Sequence, residues 1–220
     1  MSTYLNLGDD QKDVLKELGN IGTGHALTAL ASLIDKRIEA GLPTLQIVKY
    51  QDVPDLLGGA ETLETGVMME TQGLNGMFLF LMNEEFTKRL LNFILGEEPE
   101  NVWQIGEMES SAVCEAGNIM CSSYITALSR MLDMEIQMSV PDICVDMAGA
   151  ILSVPMIHFA NIGNEILLIE NQFYLEHVSF VCHILFLPEP EALDKIFTHL
   201  GVDMEERPVT HDTESVSPKV

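Results

Sequence analysis

Apolar residues recur at three- and four-residue intervals over two long stretches of this chain, which is the spacing of an amphipathic helix. The first stretch runs from residue 9 to about residue 37, and Asp9 or Asp10 is the expected N-cap. The second stretch runs from about Glu107 to Leu132. Two long helices, each with one apolar face, are therefore predicted.

Shorter apolar runs predict strands and short helices after each long helix. Residues 66–71 and 77–82 flank the sequence Gly73-Leu74-Asn75-Gly76, which is typical of a β-hairpin turn. Asn83 is expected to cap a short helix that ends at Gly96. Later apolar runs predict strands at 148–154, 165–170 and 180–187, followed by a closing helix at 189–200.

The same order of elements occurs twice, and the two copies align residue by residue. A shift of 98 residues superimposes a Glu, a Gly, an Asn and a Pro of the first half on identical residues of the second. A shift of 106 superimposes one later tripeptide on another. The matched residues are Glu17, Gly19, Asn20 and Pro43 with Glu115, Gly117, Asn118 and Pro141, and Leu79-Phe80-Leu81 with Leu185-Phe186-Leu187.

These observations predict an α+β fold with a pseudo-two-fold internal duplication. An antiparallel β-sheet is expected to pack against the two long helices and the short helices. We expect a single domain over residues 1–205, with repeat halves at about 9–100 and 107–203. Residues 206–220 are expected to form a disordered polar tail.

The charge of the chain excludes several classes of partner. Thirty-four acidic residues against 11 basic ones give a formal net charge of −23, which would repel nucleic acid and anionic lipid. The N-terminal sequence has no secretory signal and no run is long enough to span a membrane, so a cytoplasmic protein is expected. The four cysteines and six histidines have no spacing typical of a disulfide framework or a zinc site, so no metal site is predicted.

Each long helix carries a short strip of polar residues at the spacing i, i+4, i+7. The strips are Asp13, Glu17 and Asn20 on the first helix and Ser111, Glu115 and Asn118 on the second. Helical geometry places each strip within an arc of roughly 60° and a length of about 10.5 Å. A single strip of this kind is usually a solvated helix face. Two at identical spacing point instead to a repeated functional site.

The patterns Asp13-x3-Glu17-x2-Asn20-x22-Pro43 and Ser111-x3-Glu115-x2-Asn118-x22-Pro141 resemble the signature of the CheC family of bacterial chemotaxis phosphatases. The resemblance extends over residues 9 to about 203. It implies hydrolysis of the phospho-aspartate on the response regulator CheY, and binding to the receptor deamidase CheD. It also implies that any Mg²⁺ is supplied by the regulator, so the chain is expected to need no cofactor of its own.

The residue types in the strips suit that chemistry. An acyl phosphate has a good leaving group, so the main task is to hold a water molecule in line with the phosphorus. Asn20 and Asn118 are neutral and can both accept and donate hydrogen bonds, so they are the expected water-orienting catalytic groups. Glu17 and Glu115 would repel the phosphoryl group, and the resemblance implies that each pairs with a lysine of the regulator.

Other assignments remain open at this point. Asp13 and Ser111 differ between the halves and are expected to support the helix surface or docking. The chain could instead be a non-catalytic module that captures CheD or CheY. A structural component of the flagellar switch is a third hypothesis, although the FliM-like switch proteins lack the Glu/Asn pairs.

Overall fold

The structure, a computed structural model, describes residues 7–41, 44–159, 165–175 and 178–202. The helices are α1 (Asp9–Leu33), α2 (Val53–Leu56), α3 (Glu84–Leu95), α4 (Glu107–Leu132), α5 (Ala148–Phe159) and α6 (Pro190–His199). The strands are β1 (Ile38–Ala40), β2 (Thr44–Lys49), β3 (Leu63–Gln72), β4 (Gly76–Asn83), β5 (Gln137–Met138), β6 (Asp142–Met147), β7 (Glu165–Leu175) and β8 (Val178–Pro188).

The strands form one antiparallel sheet in the order β1-β7-β8-β4-β3-β5. Strand β2 also pairs with β7, and β6 also pairs with β3. The strands after each long helix therefore extend the hairpin of the other half of the chain, and β4 and β8 join the two hairpins at the centre. The α+β architecture with an antiparallel sheet is as predicted.

Helices cover both faces of the sheet because successive side chains of a strand point to opposite faces. On one face, residues such as Phe78 and Phe186 pack with buried residues of α1, α3, α4 and α6 in the larger core. On the other face, residues such as Leu79 and Leu185 pack with α2, α5 and Tyr50. The central strands are apolar on both sides for this reason.

The two long helices begin with the same type of capping hydrogen bond. The N–H of Gly8 donates to Oε1 of Gln11 at 2.8 Å, and the N–H of Gly106 donates to Oε2 of Glu109 at 3.0 Å. Gly8 is thus the N-cap of α1, and the expectation of an aspartate cap was wrong. Asp9 and Asp10 lie in the first turn instead, where their charges favour the positive end of the helix dipole.

Most of the predicted elements are present, with one clear error. Residues 148–154, predicted as a strand, form the first half of α5. A continuous apolar run does not distinguish a buried strand from a buried helix, and Pro155 within α5 made a helix harder to recognise. The first helix is also shorter than expected, because it ends at Leu33 rather than near residue 37.

Some predictions fall outside the residues described. Pro43 and the proposed tail at 206–220 are among them. Pro141 is described and directly precedes β6. In the described part of the chain, no helix is both long and apolar enough to cross a membrane.

Candidate functional site

The polar strip of α1 lies on the exposed face of the helix. Asp13, Glu17 and Asn20 are all exposed, whereas Leu15 and Leu18 between them are buried. The carboxylate of Asp13 accepts a hydrogen bond from Nζ of Lys16 at 3.0 Å. Among the residues described, neither Glu17 nor Asn20 has a side-chain hydrogen bond or ion pair. Both groups are therefore available to a partner.

The strip of α4 has the same placement but different local contacts. Ser111 and Glu115 are exposed, and the hydroxyl of Ser111 donates to the carbonyl of Glu107 at 2.7 Å. Asn118 is half-buried, and its Oδ1 accepts a hydrogen bond from the Ser122 hydroxyl at 3.4 Å. The second asparagine is consequently more constrained than Asn20.

The glycine between each Glu and Asn faces the sheet. A Cβ on Gly19 would lie 3.2 Å from Cδ1 of Leu45 and 3.4 Å from Cδ1 of Ile169. A Cβ on Gly117 would lie 2.6 Å from Cγ1 of Val67. Both glycines let the helix approach the side chains of the sheet, with the Glu and Asn on the outer surface.

The two site helices also pack directly against each other. A Cβ on Gly22 of α1 would lie only 2.5 Å from the ring of Tyr124 on α4. Tyr124 is fully buried and meets Phe78 of the sheet, with the two ring planes inclined at 63° and the ring centroids 5.2 Å apart. Helices α1 and α4 therefore pack closely against each other and, through Tyr124, against the sheet.

The thiol of Cys114, the residue before Glu115, is not prepared to act as a nucleophile. Burial, followed by the negative charge of Asp142, raises the pKa of Cys114. A raised pKa keeps the thiol protonated at neutral pH. In the described ranges, no group of three or more His, Cys, Asp and Glu side chains is placed to hold a metal ion. What the strips offer is two exposed carboxylates, each one helical turn from a neutral amide.

Reasoning from the sequence missed two features that the structure adds. Ser122 was not selected, although it lies one turn beyond Asn118, and the shift of 98 residues pairs it with Gly24. Glu64 was also missed because nothing in its sequence context indicates burial. It is 3% exposed, and burial raises its pKa to about 7.

Comparison with known proteins finds one family whose sequence profile matches both strips. The profile of the CheC-like family matches residues 11–45 and again residues 108–145. The first match contains Glu17 and Asn20, and the second contains Glu115 and Asn118.

Individual relatives agree with this match. The CheY-P phosphatase CheC of Bacillus subtilis is 28% identical over 93% of this chain and 100% of its own length. The flagellar motor switch phosphatase FliY of the same organism is 26% identical over 62% of this chain and 36% of its own. The crystal structure of Thermotoga maritima FliY shares the fold, with a TM-score of 0.70 at 22% identity, over 89% of this chain and 98% of that one.

Proposed function

This chain belongs to the CheC-like family, and from that premise we propose that it is a phosphatase that hydrolyses the phospho-aspartate of the response regulator CheY. The observation that carries the proposal is the polar strip that is repeated on the outer surface of α1 and of α4. Glu17 with Asn20, and Glu115 with Asn118, present the same two groups at the same spacing on neighbouring helices. Two relatives whose names state a phosphatase support the same activity.

Asn20 and Asn118 are the proposed catalytic groups. Each amide oxygen can accept a hydrogen bond from the attacking water, and each amide nitrogen can donate one to the phosphoryl group or to the regulator. The neutral side chain can approach a phosphorylated aspartate without charge repulsion. The water attacks phosphorus, the bond from phosphorus to the aspartyl oxygen breaks, and the products are inorganic phosphate and the free carboxylate.

Glu17 and Glu115 are proposed to anchor the regulator. Each lies about 4.5 Å along the helix from its asparagine, at a rise of about 1.5 Å per residue. A carboxylate at that distance can pair with a lysine of the regulator while the asparagine reaches the phosphoryl group. Both are exposed, so the charge pair would form only on docking. The Mg²⁺ that CheY-type regulators hold beside the phospho-aspartate belongs to the substrate in this scheme.

Asp13 and Ser111 have supporting roles in the proposal. Asp13 is tied to Lys16 at 3.0 Å, so its charge is already partly neutralised. Ser111 donates back to its own helix. Neither side chain is oriented by a contact with the Glu or Asn of its strip, and we assign both to the docking surface.

A second candidate function is capture of a protein partner such as CheD, and an exposed apolar surface favours it. Val154, Met156 and Ile157 of α5 are 47%, 39% and 76% exposed. Helix α5 covers the sheet face opposite to α1 and α4, since it packs in the second core. A partner on α5 would leave both strips accessible, so the two functions are compatible.

The decisive experiment measures the decay of phosphorylated CheY with Mg²⁺ present. Three reactions are compared: no added protein, the wild-type chain, and the double variant Asn20→Ala/Asn118→Ala. We expect faster decay with wild type only. Circular dichroism and thermal unfolding of the double variant serve as the folding control, because both asparagines lie on the outer helix surface.

Two outcomes would contradict the proposal. Equal decay in all three reactions, repeated with CheD present, would leave partner capture as the better account. Full activity in a folded double variant would remove the strips from the reaction. For the second candidate, Ile157→Asp should weaken a complex with CheD and leave the decay rate of phosphorylated CheY unchanged.

A further inference from the structure

We infer that Ser122 is a positioning residue that holds the amide of Asn118 in a fixed orientation, and that the two sites are unequal because the first has no counterpart to it. The inference rests on the proposed phosphatase function and concerns the same sites. Its basis is the hydrogen bond from the Ser122 hydroxyl to Oδ1 of Asn118, at 3.4 Å.

This bond differs from those of three other hydroxyls on the two helices. Thr28, Ser32 and Ser111 each donate to the backbone carbonyl four residues earlier, at 2.7, 2.9 and 2.7 Å. That is the usual arrangement for a hydroxyl inside a helix. Ser122 donates instead to the side chain four residues earlier. Its hydroxyl is therefore used to orient an amide.

Orientation matters for an asparagine because its terminal torsion is broad, and oxygen and nitrogen exchange places when the amide turns by 180°. In the structure the Ser122 hydroxyl donates to Oδ1 of Asn118, and this orientation leaves the amide N–H groups and one lone pair of Oδ1 for water or phosphoryl. The half-buried position of Asn118 restricts it further.

The first site lacks this restraint. The residue four positions after Asn20 is Gly24, which has no side chain and is exposed. A Cβ built there would have no atom within 4 Å. Asn20 is itself exposed and must lose amide and side-chain freedom when the regulator docks. The second site is pre-organised and the first is not, so we expect the second to turn over faster.

The open space at Gly24 permits a matched experiment in both directions. In an Asn20→Ala background, where only the second site acts, Ser122→Ala should lower kcat about threefold, the size expected for one weak neutral hydrogen bond. KM should not change, since the docking residues are intact. Ser122→Thr, which keeps a hydroxyl, should restore kcat.

The reverse substitution tests the first site. In an Asn118→Ala background, Gly24→Ser should raise kcat about threefold relative to Gly24→Ala. The alanine variant controls for the gain in helix stability that any replacement of this glycine brings. A merely structural role for Ser122 would lower stability without separating kcat from KM, and would predict no gain at Gly24.

A measurement without turnover completes the test. In the free wild-type protein, NMR relaxation of the side-chain amide groups should give a higher order parameter for Asn118 than for Asn20. Ser122→Ala should remove the difference. Equal order parameters, or unchanged kcat in Ser122→Ala, would overturn the inference and leave the phosphatase proposal standing. Wild-type protein no faster than buffer would overturn the phosphatase proposal, and with it this inference. Activity in wild type but none in the Asn20→Ala background would overturn the inference alone.

Discussion

Leu79 of β4 and Leu185 of β8 are directly opposed across the centre of the sheet, and both side chains are buried. The shift of 106 residues that aligns the later parts of the two halves makes these leucines counterparts. A position that faces its own counterpart is expected where a two-fold axis crosses an antiparallel pair. The two halves therefore pair with each other here through matched positions.

The exchange of edge strands predicts that neither half folds alone. Residues 9–100 would lack β7, the partner of β2, and residues 107–203 would lack β3, the partner of β6. Each fragment should give little cooperative thermal unfolding by circular dichroism. Mixing the two fragments should restore a cooperative transition. A separately purified half with a sharp transition of its own would contradict the single-domain prediction.

The glycines beneath the strips predict a graded series of stabilities. Gly117→Ala places a methyl group 2.6 Å from the branched side chain of Val67, which is itself 0% exposed, so we expect a loss of about 1–3 kcal/mol in the free energy of unfolding. Gly19→Ala should cost less, because its nearest atom is the end of the Leu45 side chain at 3.2 Å.

Gly24→Ala is the matched control for this series. It lies on the same helix as Gly19 with open space around it, so helix propensity alone should stabilise the protein by about 0.5–1 kcal/mol. Urea unfolding of the three variants measures the order directly. Equal destabilisation at Gly24 and Gly117 would show that close approach to the sheet is not what these glycines provide.

Buried Glu64 predicts a pH dependence of stability. It is 3% exposed, its Oε2 has no hydrogen-bond partner among the residues described, and burial raises its pKa from 4.5 to about 7. The folded state therefore holds this proton more tightly than the unfolded chain. Its contribution is fully present below about pH 4.5 and is lost as the pH rises through about 7.

The expected loss is on the order of 1–3 kcal/mol between pH 4.5 and pH 8. In the register of the sheet, Glu64 lies opposite Asp146 on β6 and the non-titrating Asn83 on β4, and α5 covers the neighbouring Gly66 through Ile151. Glu64→Gln should flatten the dependence measured by urea unfolding across that range. An unchanged slope in this variant would assign the dependence to other groups.

The carboxylates of the strips are expected to affect binding of the regulator, measured as KM, and not the chemical step, measured as kcat. Glu17→Gln/Glu115→Gln removes two exposed charges that make no hydrogen bond or ion pair with the described residues, so unfolding should be unaffected. KM for phosphorylated CheY should rise severalfold and should become less sensitive to salt, because a charge pair with the regulator is lost. A fall in kcat with constant KM would instead place these groups in the chemical step.

Periodicity was sufficient for the parts of the fold that depend on local sequence. It predicted α4 at Glu107–Leu132 and the hairpin of β3 and β4, because one amphipathic face or one turn determines each. It could not give the pairing of β2 with β7, which joins segments more than 100 residues apart. The run at 148–154 was misassigned for a related reason: its helical state follows from packing on the sheet.

The candidate site also has features that the sequence predicted and features that it did not. The Glu and Asn positions came directly from spacing, since a helix places i and i+3 on one face. The glycine between them was noticed, but its contact with the sheet was not predicted. Ser122 could have been found by asking which residue lies one turn beyond Asn118, although its choice of partner needed coordinates.

Helices α1 and α4 lie very close to the sheet and to each other, and this affects how their outer surfaces can evolve. Gly19, Gly22 and Gly117 lie underneath, where almost any replacement disturbs the sheet or the neighbouring helix, whereas the outward groups contact little of their own chain. Changes of the outward residues are therefore nearly free of structural penalty. The residues of either strip can therefore change while the helices beneath them keep their packing, so the two strips can diverge independently of each other.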